Sequence, residues 1–237
     1  MTVMPAVAVL AGGLATRLRP ITTTIPKAMV EVADEPFIAH QLRLLHREGT
    51  RMVVLCLGYL GEQVADFVGD GSRFGLEVRY SFDGDRLLVT GGALRKALPL
   101  LGPEFLILYG DSYLDLAYAP VVGAWRAGGL DGMMTVYRNE GRWDTSNVVF
   151  SDGRIICYSK TIHDPGMRHI DYGLGLLRAG VLAARPDDQP FDLAGVYSDL
   201  VAAGRLAGYE VRQRFYEIGS PEGLAETDAW LRHKAIG

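Results

Sequence analysis

The residues with the clearest chemical potential stand together near the N-terminus, in 10-LAGGLATRLRPITTTIPKAM-29. An apolar run ends in two adjacent glycines, Gly12 and Gly13, followed by Arg17, Arg19 and Lys27. Glycines at such a turn let backbone N–H groups close around an anion. The arginines offer forked, permanently charged donors suited to phosphate oxygens, and Lys27 adds a point charge behind Pro26. The spacing matches neither the dinucleotide fingerprint G-x-G-x-x-G nor the P-loop G-x-x-x-x-G-K-[ST]. A phosphate-bearing ligand suits this loop. A glycine turn with solvated arginines is the alternative that the loop alone leaves open.

Such a loop needs a strand to present it, and 6-AVAVLAG-12 reads as a short buried parallel strand. Apolar positions at helical spacing follow in 36–49, with Pro36 suited to the first turn and Gly49 to the stop. Strands are then predicted at 51–58, 76–82, 104–112 and 132–139, and helices at 61–71, 91–101 and 119–127. Strands alternating with helices over the first 140 residues argue for a twisted, mostly parallel sheet covered on both faces. The rhythm then changes. Residues 147–160 predict a hairpin turning at Asp152-Gly153, followed by an apolar segment 169–182, a helix 193–206, a strand 208–219 and a closing helix 221–235. No repeat or linker divides the chain, so residues 1–237 are expected to form one domain. In it 1–140 would mainly bind one ligand, and 141–237 would cap the sheet and bind another.

The bulk properties narrow the partners. A net charge of −4 over 237 residues argues against a broad nucleic-acid face. The two cysteines, Cys56 and Cys157, lie in apolar strand-like runs and read as buried thiols rather than a disulfide or metal pair. The N-terminus lacks the basic region and apolar length of a signal peptide, and no apolar stretch reaches a membrane span. A cytoplasmic protein with no membrane partner is expected. His163 and His169 read as solvated loop residues. Trp125, Trp143 and Trp230 read as packing residues, with Trp143, beside Arg142 and Asp144, as a possible border of a pocket.

The whole stretch from Leu10 to Lys27 resembles the signature of sugar-1-phosphate nucleotidyltransferases, L-A-G-G-x-G-T-R-L-x-P-x-T-x-x-x-P-K. Leu10, Ala11, Gly12, Gly13, Thr16, Arg17, Leu18, Pro20, Thr22, Pro26 and Lys27 fall in step with it. Ala15 replaces the usual glycine. The resemblance implies a three-layer Rossmann-like fold of the glycosyltransferase-A type, with a mixed, mostly parallel central sheet. It also implies that backbone amides of Leu10, Ala11, Gly12 and Gly13 hold a nucleotide near Thr16. Arg17 would grip the leaving β/γ-phosphates and Lys27 the α-phosphate.

Four later segments extend the likeness. In 88-LVTGGALRKAL-98, with Val89 at another family glycine, the backbone at Thr90 and Gly91 would lie against the base; a glycine-capped helix start explains those residues equally well. In 107-ILYGDSYLD-115, Asp111 at a strand end would ligate Mg²⁺, a cation that takes one or two carboxylates plus phosphate oxygens; a helix cap is the plainer role. In 216-YEIGSPEGL-224, Glu217 stands where relatives carry a second metal aspartate. In 155-IICYSK-160, Lys160 keeps the sugar-phosphate role, but Ser159 replaces a sugar-contacting glutamate. Asp171 in 170-IDYG-173, with Gly173 beside it, is the candidate replacement, and Asn147 a further one.

The implied activity is Mg²⁺-dependent condensation of a nucleoside triphosphate with a sugar 1-phosphate, releasing pyrophosphate. The short chain, without the hexapeptide repeats of a C-terminal β-helix domain, looks most like guanylyltransferases for manno-configured heptose 1-phosphates. Uridylyltransferases for amino-sugar 1-phosphates and cytidylyltransferases for a phosphorylated alcohol are alternatives. A non-catalytic regulatory paralogue that binds nucleotide-sugar is a further one, and a homodimer is the default assembly.

Overall fold

The computed structural model describes residues 3–143, 145–162 and 164–236. In chain order its main elements are β1 (Ala6–Leu10), α1 (Phe37–Arg47), β2 (Met52–Leu57), α2 (Gly61–Val68), β3 (Glu77–Phe82), α3 (Val89–Ala97), β4 (Glu104–Tyr109) and α4 (Tyr118–Gly128). Then follow β5 (Gly132–Arg138), β6 (Val148–Ser151), β7 (Arg154–Tyr158), β8 (His169–Arg178), α5 (Ala179–Ala183), α6 (Leu193–Ala202), β9 (Leu206–Val211) and α7 (Pro221–Ile236).

The apolar run of β1 is buried on both sides, as a central parallel strand requires. Val7 and Val9 join one core with Leu42 and Leu45 of α1, Val64 of α2 and Trp125 of α4. Ala6 and Ala8 join the opposite core with Leu94 and Ala97 of α3 and Val196 and Leu200 of α6. The period-two alternation of a strand thus feeds two helical layers at once. Pro36 stands just before α1 rather than inside its first turn, and Phe37, Ile38, Leu42 and Leu45 of that helix are fully buried. A third cluster binds Leu18 and Phe37 to Ile218 and Leu231, so the C-terminal helix packs against the segment that follows the first loop.

The described strands form a nine-stranded sheet in the order β3-β2-β1-β4-β8-β5-β9-β7-β6. Pairings β3–β2, β2–β1, β1–β4 and β5–β9 are parallel. The expectation of a mostly parallel sheet therefore holds only for the N-terminal half. β8 runs antiparallel to both β4 and β5 and separates them. β9–β7 and β7–β6 are antiparallel as well, and β6 touches β8 again at Val148–His169, which curls this half towards a small barrel. Residues beyond 140 thus extend the sheet instead of capping it. The segment 169–182 resolves into the ten-residue β8 and the short α5. The predicted helix 193–206 ends at Ala202, because β9 begins at Leu206 and continues the ladder beside β5. The predicted strand 208–219 breaks after Val211, and Tyr216–Glu217 pairs instead with Ser112–Tyr113.

Candidate active site

Parallel pairing sets the ends of β1 and β4 side by side, with Leu10 opposite Tyr109. The first loop and the turn carrying Asp111 therefore leave the sheet together. Gly110 makes this possible: its N–H donates to Leu10 O at 2.9 Å, and a Cβ there would stand 2.7 Å from that oxygen. Lys27, on a 3-10 turn after the loop, donates from Nζ to Asp111 Oδ2 at 2.8 Å. Buried Gln41 of α1 donates through Nε2 to the carbonyls of Tyr109 (2.9 Å) and Ser112 (2.7 Å), clamping the backbone on either side of Asp111.

Two cavities flank this pair. One, of about 480 Å³, is lined by Leu10, Ala11, Gly12, Gly13, Thr16, Lys27 and Thr90, so most of the expected nucleotide residues come together. The other, of about 650 Å³, is lined by Arg17, Asn147, Lys160, Asp171, Gly173 and Glu217, which gathers the expected sugar-phosphate residues. Tyr109 and Asp111 line both and mark the seam between them. Arg17 opens on the second cavity, not the first. Gly91 lines neither. Its N–H donates to Phe191 O at 2.9 Å, and a Cβ there would stand 2.4 Å from the Phe191 ring, so this glycine seats α3 against the chain before α6.

Both residues that replace family glycines adopt left-handed backbone: Ala15 at φ 49°, ψ 44° and Val89 at φ 62°. Such a conformation costs a non-glycine residue about 1–2 kcal/mol, and more for a β-branched one. Val89, 48% exposed, faces the first cavity.

The second metal candidate is held by its own loop. Glu217 accepts from Gly219 N–H through Oε2 and from Ser220 Oγ at 2.8 Å through Oε1. Ser220 in turn caps α7, accepting from Gly223 N–H at 3.0 Å, with Pro221 opening the helix. The space above Gly219 is where the charges meet. A Cβ on Gly219 would lie 2.6 Å from Glu217 Oε2, 3.1 Å from Arg17 Nη2 and 3.3 Å from Asp111 Oδ2. Two hard carboxylate oxygens facing one space fit a cation such as Mg²⁺, which completes its sphere with water and phosphate. Among the described residues no group of three or more acidic, histidine or cysteine side chains is placed to hold a metal ion.

On the sugar-phosphate side, Asp171 Oδ1 accepts from Gly173 N–H at 3.0 Å, and Asp171 N–H donates to Asn147 Oδ1 at 3.0 Å. Burial pushes the Asp171 carboxyl up to about 6, against the pull of the Gly173 N–H and the Lys160 charge. Ser159 is turned to its own loop, where Oγ accepts from Ile162 N–H at 2.8 Å. Lys160 Nζ lies 3.5 Å from Asp192 Oδ1.

Asp192 and Asp83 are site residues the sequence reading missed. Asp192 Oδ1 also accepts from Thr90 Oγ1 at 3.0 Å and from Ala194 N–H at 2.8 Å, so it caps α6 while linking the two cavities. Burial raises its carboxyl, but the Ala194 N–H, the Lys160 charge and the Thr90 hydroxyl outweigh that and hold it below the usual range. Asp83 is buried in the wall of the first cavity, its Oδ2 accepting from Leu88 N–H at 3.0 Å. Burial pushes its carboxyl up, opposed by that N–H and by Lys96. In sequence it sits in F-D-G-D, which signals only a turn. Asp192 follows a polar stretch as an ordinary helix cap would.

The remaining candidates resolve simply. His169 opens β8, is largely covered, and bonds Glu210 at 2.9 Å instead of standing free in a loop. His163 and Asp144 lie outside the described residues. Trp125 is buried and donates to Leu130 O, and Trp230 stacks on Tyr216 at 4.3 Å. Trp143 lines the second cavity beneath Arg214.

Residues 6–146 match the family model described as Nucleotidyl transferase. A UTP–glucose-1-phosphate uridylyltransferase from Synechocystis sp. is 29% identical over 87% of this chain and 58% of its own length. A D-glycero-alpha-D-manno-heptose 1-phosphate guanylyltransferase from Campylobacter jejuni is 33% identical over 46% of this chain and 48% of its own. The chain thus spans about half the length of these relatives. The crystal structure of HddC from Yersinia pseudotuberculosis complexed with GMP-PN superposes with a TM-score of 0.81 at 24% identity, covering 96% of this chain and 100% of that one, which establishes a shared fold. No described helix is long and apolar enough to cross a membrane.

Proposed function

The chain belongs to the nucleotidyl transferase family, and from that premise we propose that it condenses a nucleoside triphosphate with a sugar 1-phosphate. The observation that carries this reading is the Lys27–Asp111 pair, in which Asp111 lines both cavities and Lys27 the first. The glycine loop holds the nucleotide in the first cavity, and Lys160 holds the sugar 1-phosphate in the second. A phosphate oxygen of the sugar 1-phosphate attacks the α-phosphate at the seam. The α–β phosphoanhydride bond breaks, and pyrophosphate leaves with its electron pair beside Arg17. Positioning and charge neutralisation suffice for such a transfer, since no covalent intermediate is needed. Asp111 and Glu217 would hold Mg²⁺, which supplies further positive charge at the phosphates.

Guanine is the base this reading favours, because Asp83 gives the first cavity a buried acceptor. Guanine carries adjacent N1–H and N2–H donors on one edge. Uracil carries one N–H between two carbonyls, and a carboxylate repels those carbonyls. The sugar proposed is a manno-configured heptose, as the name of the Campylobacter relative has it. Uridylyl transfer, as the Synechocystis relative is named for, is the second reading. Retention of Arg17, Lys27, Asp111 and Lys160 argues against a regulatory paralogue.

The test is pyrophosphate release over GTP, UTP, CTP, dTTP and ATP against mannose, manno-heptose, glucose and amino-sugar 1-phosphates, with Mg²⁺ and with chelator. A Mg²⁺-dependent signal with GTP and a manno-configured sugar supports the proposal. Silence throughout, with a nucleotide-sugar still binding, overturns it in favour of the paralogue.

A further inference from the structure

The second cavity carries a wall with no part in the phosphate chemistry. Arg214, in the bend between β9 and the Glu217 ribbon, lays its guanidinium 3.5 Å over the Trp143 ring and 5.1 Å from the Tyr216 ring. Tyr216 is backed in turn by Trp230. Arg214 Nη2 is paired with Glu226 of α7. Its Nε is buried and, among the described residues, has no hydrogen-bond partner. The guanidinium, held over the Trp143 ring and paired with Glu226, forms a fixed wall of the cavity.

The charge of the surroundings decides which acceptor. The cavity is lined by three cations, Arg17, Lys160 and Arg214. Five carboxylates oppose them: Asp111, Asp171, Glu217, Glu222 and Glu226. Arg17 stands with the carboxylates above Gly219, Lys160 leans on Asp192, and Arg214 is matched by Glu226. Among the described residues, no cation lining the cavity is left over for a second anionic group on the sugar. A carboxylate or second phosphate at the Arg214 wall would meet the like charges of Glu222 and Glu226. A hydroxyl, by contrast, carries no charge and can donate to Glu222 or Glu226. The exposed part of Trp143 offers an apolar face to sugar C–H groups.

Resting on the nucleotidyl-transfer reading, we infer that Trp143, Arg214 and Glu226 form a subsite for the part of the sugar remote from its phosphate. That subsite selects neutral, hydroxyl-rich sugars against acidic ones.

Matched pairs test this, since their members differ only at C6: mannose against mannuronate 1-phosphate, and glucose against glucuronate 1-phosphate. Pyrophosphate release is measured on each, together with equilibrium binding of GDP-mannose against GDP-mannuronate and UDP-glucose against UDP-glucuronate. The neutral member is expected to be favoured at least tenfold in kcat/KM and in affinity. Glu226→Gln, which unmatches the Arg214 charge, is expected to shrink that preference severalfold, and Arg214→Gln to weaken binding of the neutral member without helping the acidic one. Equal or better use of the acidic member, or a preference unmoved in Glu226→Gln, overturns the inference. If no pair releases pyrophosphate but the binding preference and its response to Glu226→Gln are found, the activity fails and the subsite stands.

Discussion

Lys27 Nζ and Asp111 Oδ2 meet at 2.8 Å although 84 residues separate them in the chain. One follows the first loop and the other lies in the turn after β4, and the Leu10–Tyr109 register brings them to the same edge of the sheet. Both side chains are about three-quarters or more covered, so the pair forms a largely shielded charge site where phosphates would gather.

Removing one member of this pair should therefore strike the chemical step more than the fold. Lys27→Met is expected to lower kcat for pyrophosphate release by about 10²–10³-fold, the usual loss for a charge-stabilising donor. Asp111→Asn is expected to do the same and to abolish the response to added Mg²⁺. Nucleotide affinity, read by calorimetry, should fall far less than kcat. A loss confined to KM would instead make Lys27 a binding residue only.

Gly219 gives a more local test. Its φ is not left-handed, so alanine there adds no backbone strain. The added methyl would instead stand among Glu217 Oε2, Arg17 Nη2 and Asp111 Oδ2, at 2.6, 3.1 and 3.3 Å. Gly219→Ala should keep its melting temperature within a few degrees, raise the Mg²⁺ concentration for half-activity, and lower activity about tenfold or more. Unchanged Mg²⁺ dependence would remove Glu217 from the metal site.

Ala15 and Val89 predict the opposite outcome for stability. Glycine relieves the left-handed conformation at each position, and the gain exceeds the chain entropy that glycine adds to the unfolded state. Ala15→Gly should stabilise by about 0.5–1 kcal/mol, and Val89→Gly by about 1 kcal/mol or more, since a β-branched residue suffers most there. Urea midpoints at unchanged slope would report this. A lower midpoint for Val89→Gly would show that its side chain contributes packing that outweighs the strain.

These cases also mark how far sequence carried. The places of Gly12, Gly13 and Asp111 just past strand ends were legible because a strand-end loop is local in the chain, and Asp152-Gly153 gave the hairpin turn directly. What could not be read was pairing. Nothing in 169-HIDYGLGLLR-178 says that the strand slides between β4 and β5 and runs against both, because a strand buried on two faces looks alike in either direction. Gly91 was expected beside the base, yet it packs on Phe191, a contact 100 residues away. Asp83 and Asp192 read as turn and cap residues, and only the fold sets Asp83 in the wall of the first cavity and the Asp192 carboxylate between Thr90 and Lys160.

Asp171 gives a pH signature. It titrates at about 6 in the folded chain, above its ordinary 3.8, chiefly through burial. Below pH 4 it is protonated whether folded or unfolded and adds no penalty. As pH rises through 6 the folded state must carry a poorly solvated charge, so the contribution present in acid is lost at neutrality. Asp171→Asn keeps an acceptor for Gly173 N–H. It should raise the urea midpoint near pH 7.5 and change it little near pH 4. In the same variant KM for the sugar 1-phosphate should rise with KM for the nucleotide unmoved. Equal stabilisation at both pH values would mean that the Asp171 charge is not penalised by the fold.

Asp83 offers a test of the proposed base. Its Oδ2 is engaged with Leu88 N–H at 3.0 Å, and on the proposed guanine reading its second oxygen would meet the donor edge of the base. Asp83→Asn can keep the Leu88 bond through its carbonyl oxygen while turning an amide donor to the base. That donor faces the guanine N1–H and N2–H groups unfavourably, and suits the carbonyls of uracil. Leaving a buried hydrogen-bonding edge mismatched is what gives such sites large discrimination. The variant is therefore expected to lose about 10²-fold or more in kcat/KM for GTP and to gain for UTP, so that the preference narrows or inverts. Melting temperature separates this from damage to the Leu88 turn, which would weaken both nucleotides together. A wild-type protein that prefers UTP, or a variant whose GTP-to-UTP ratio stays put, would confine Asp83 to holding the start of α3 and return the choice of base to the backbone around Val89 and Thr90.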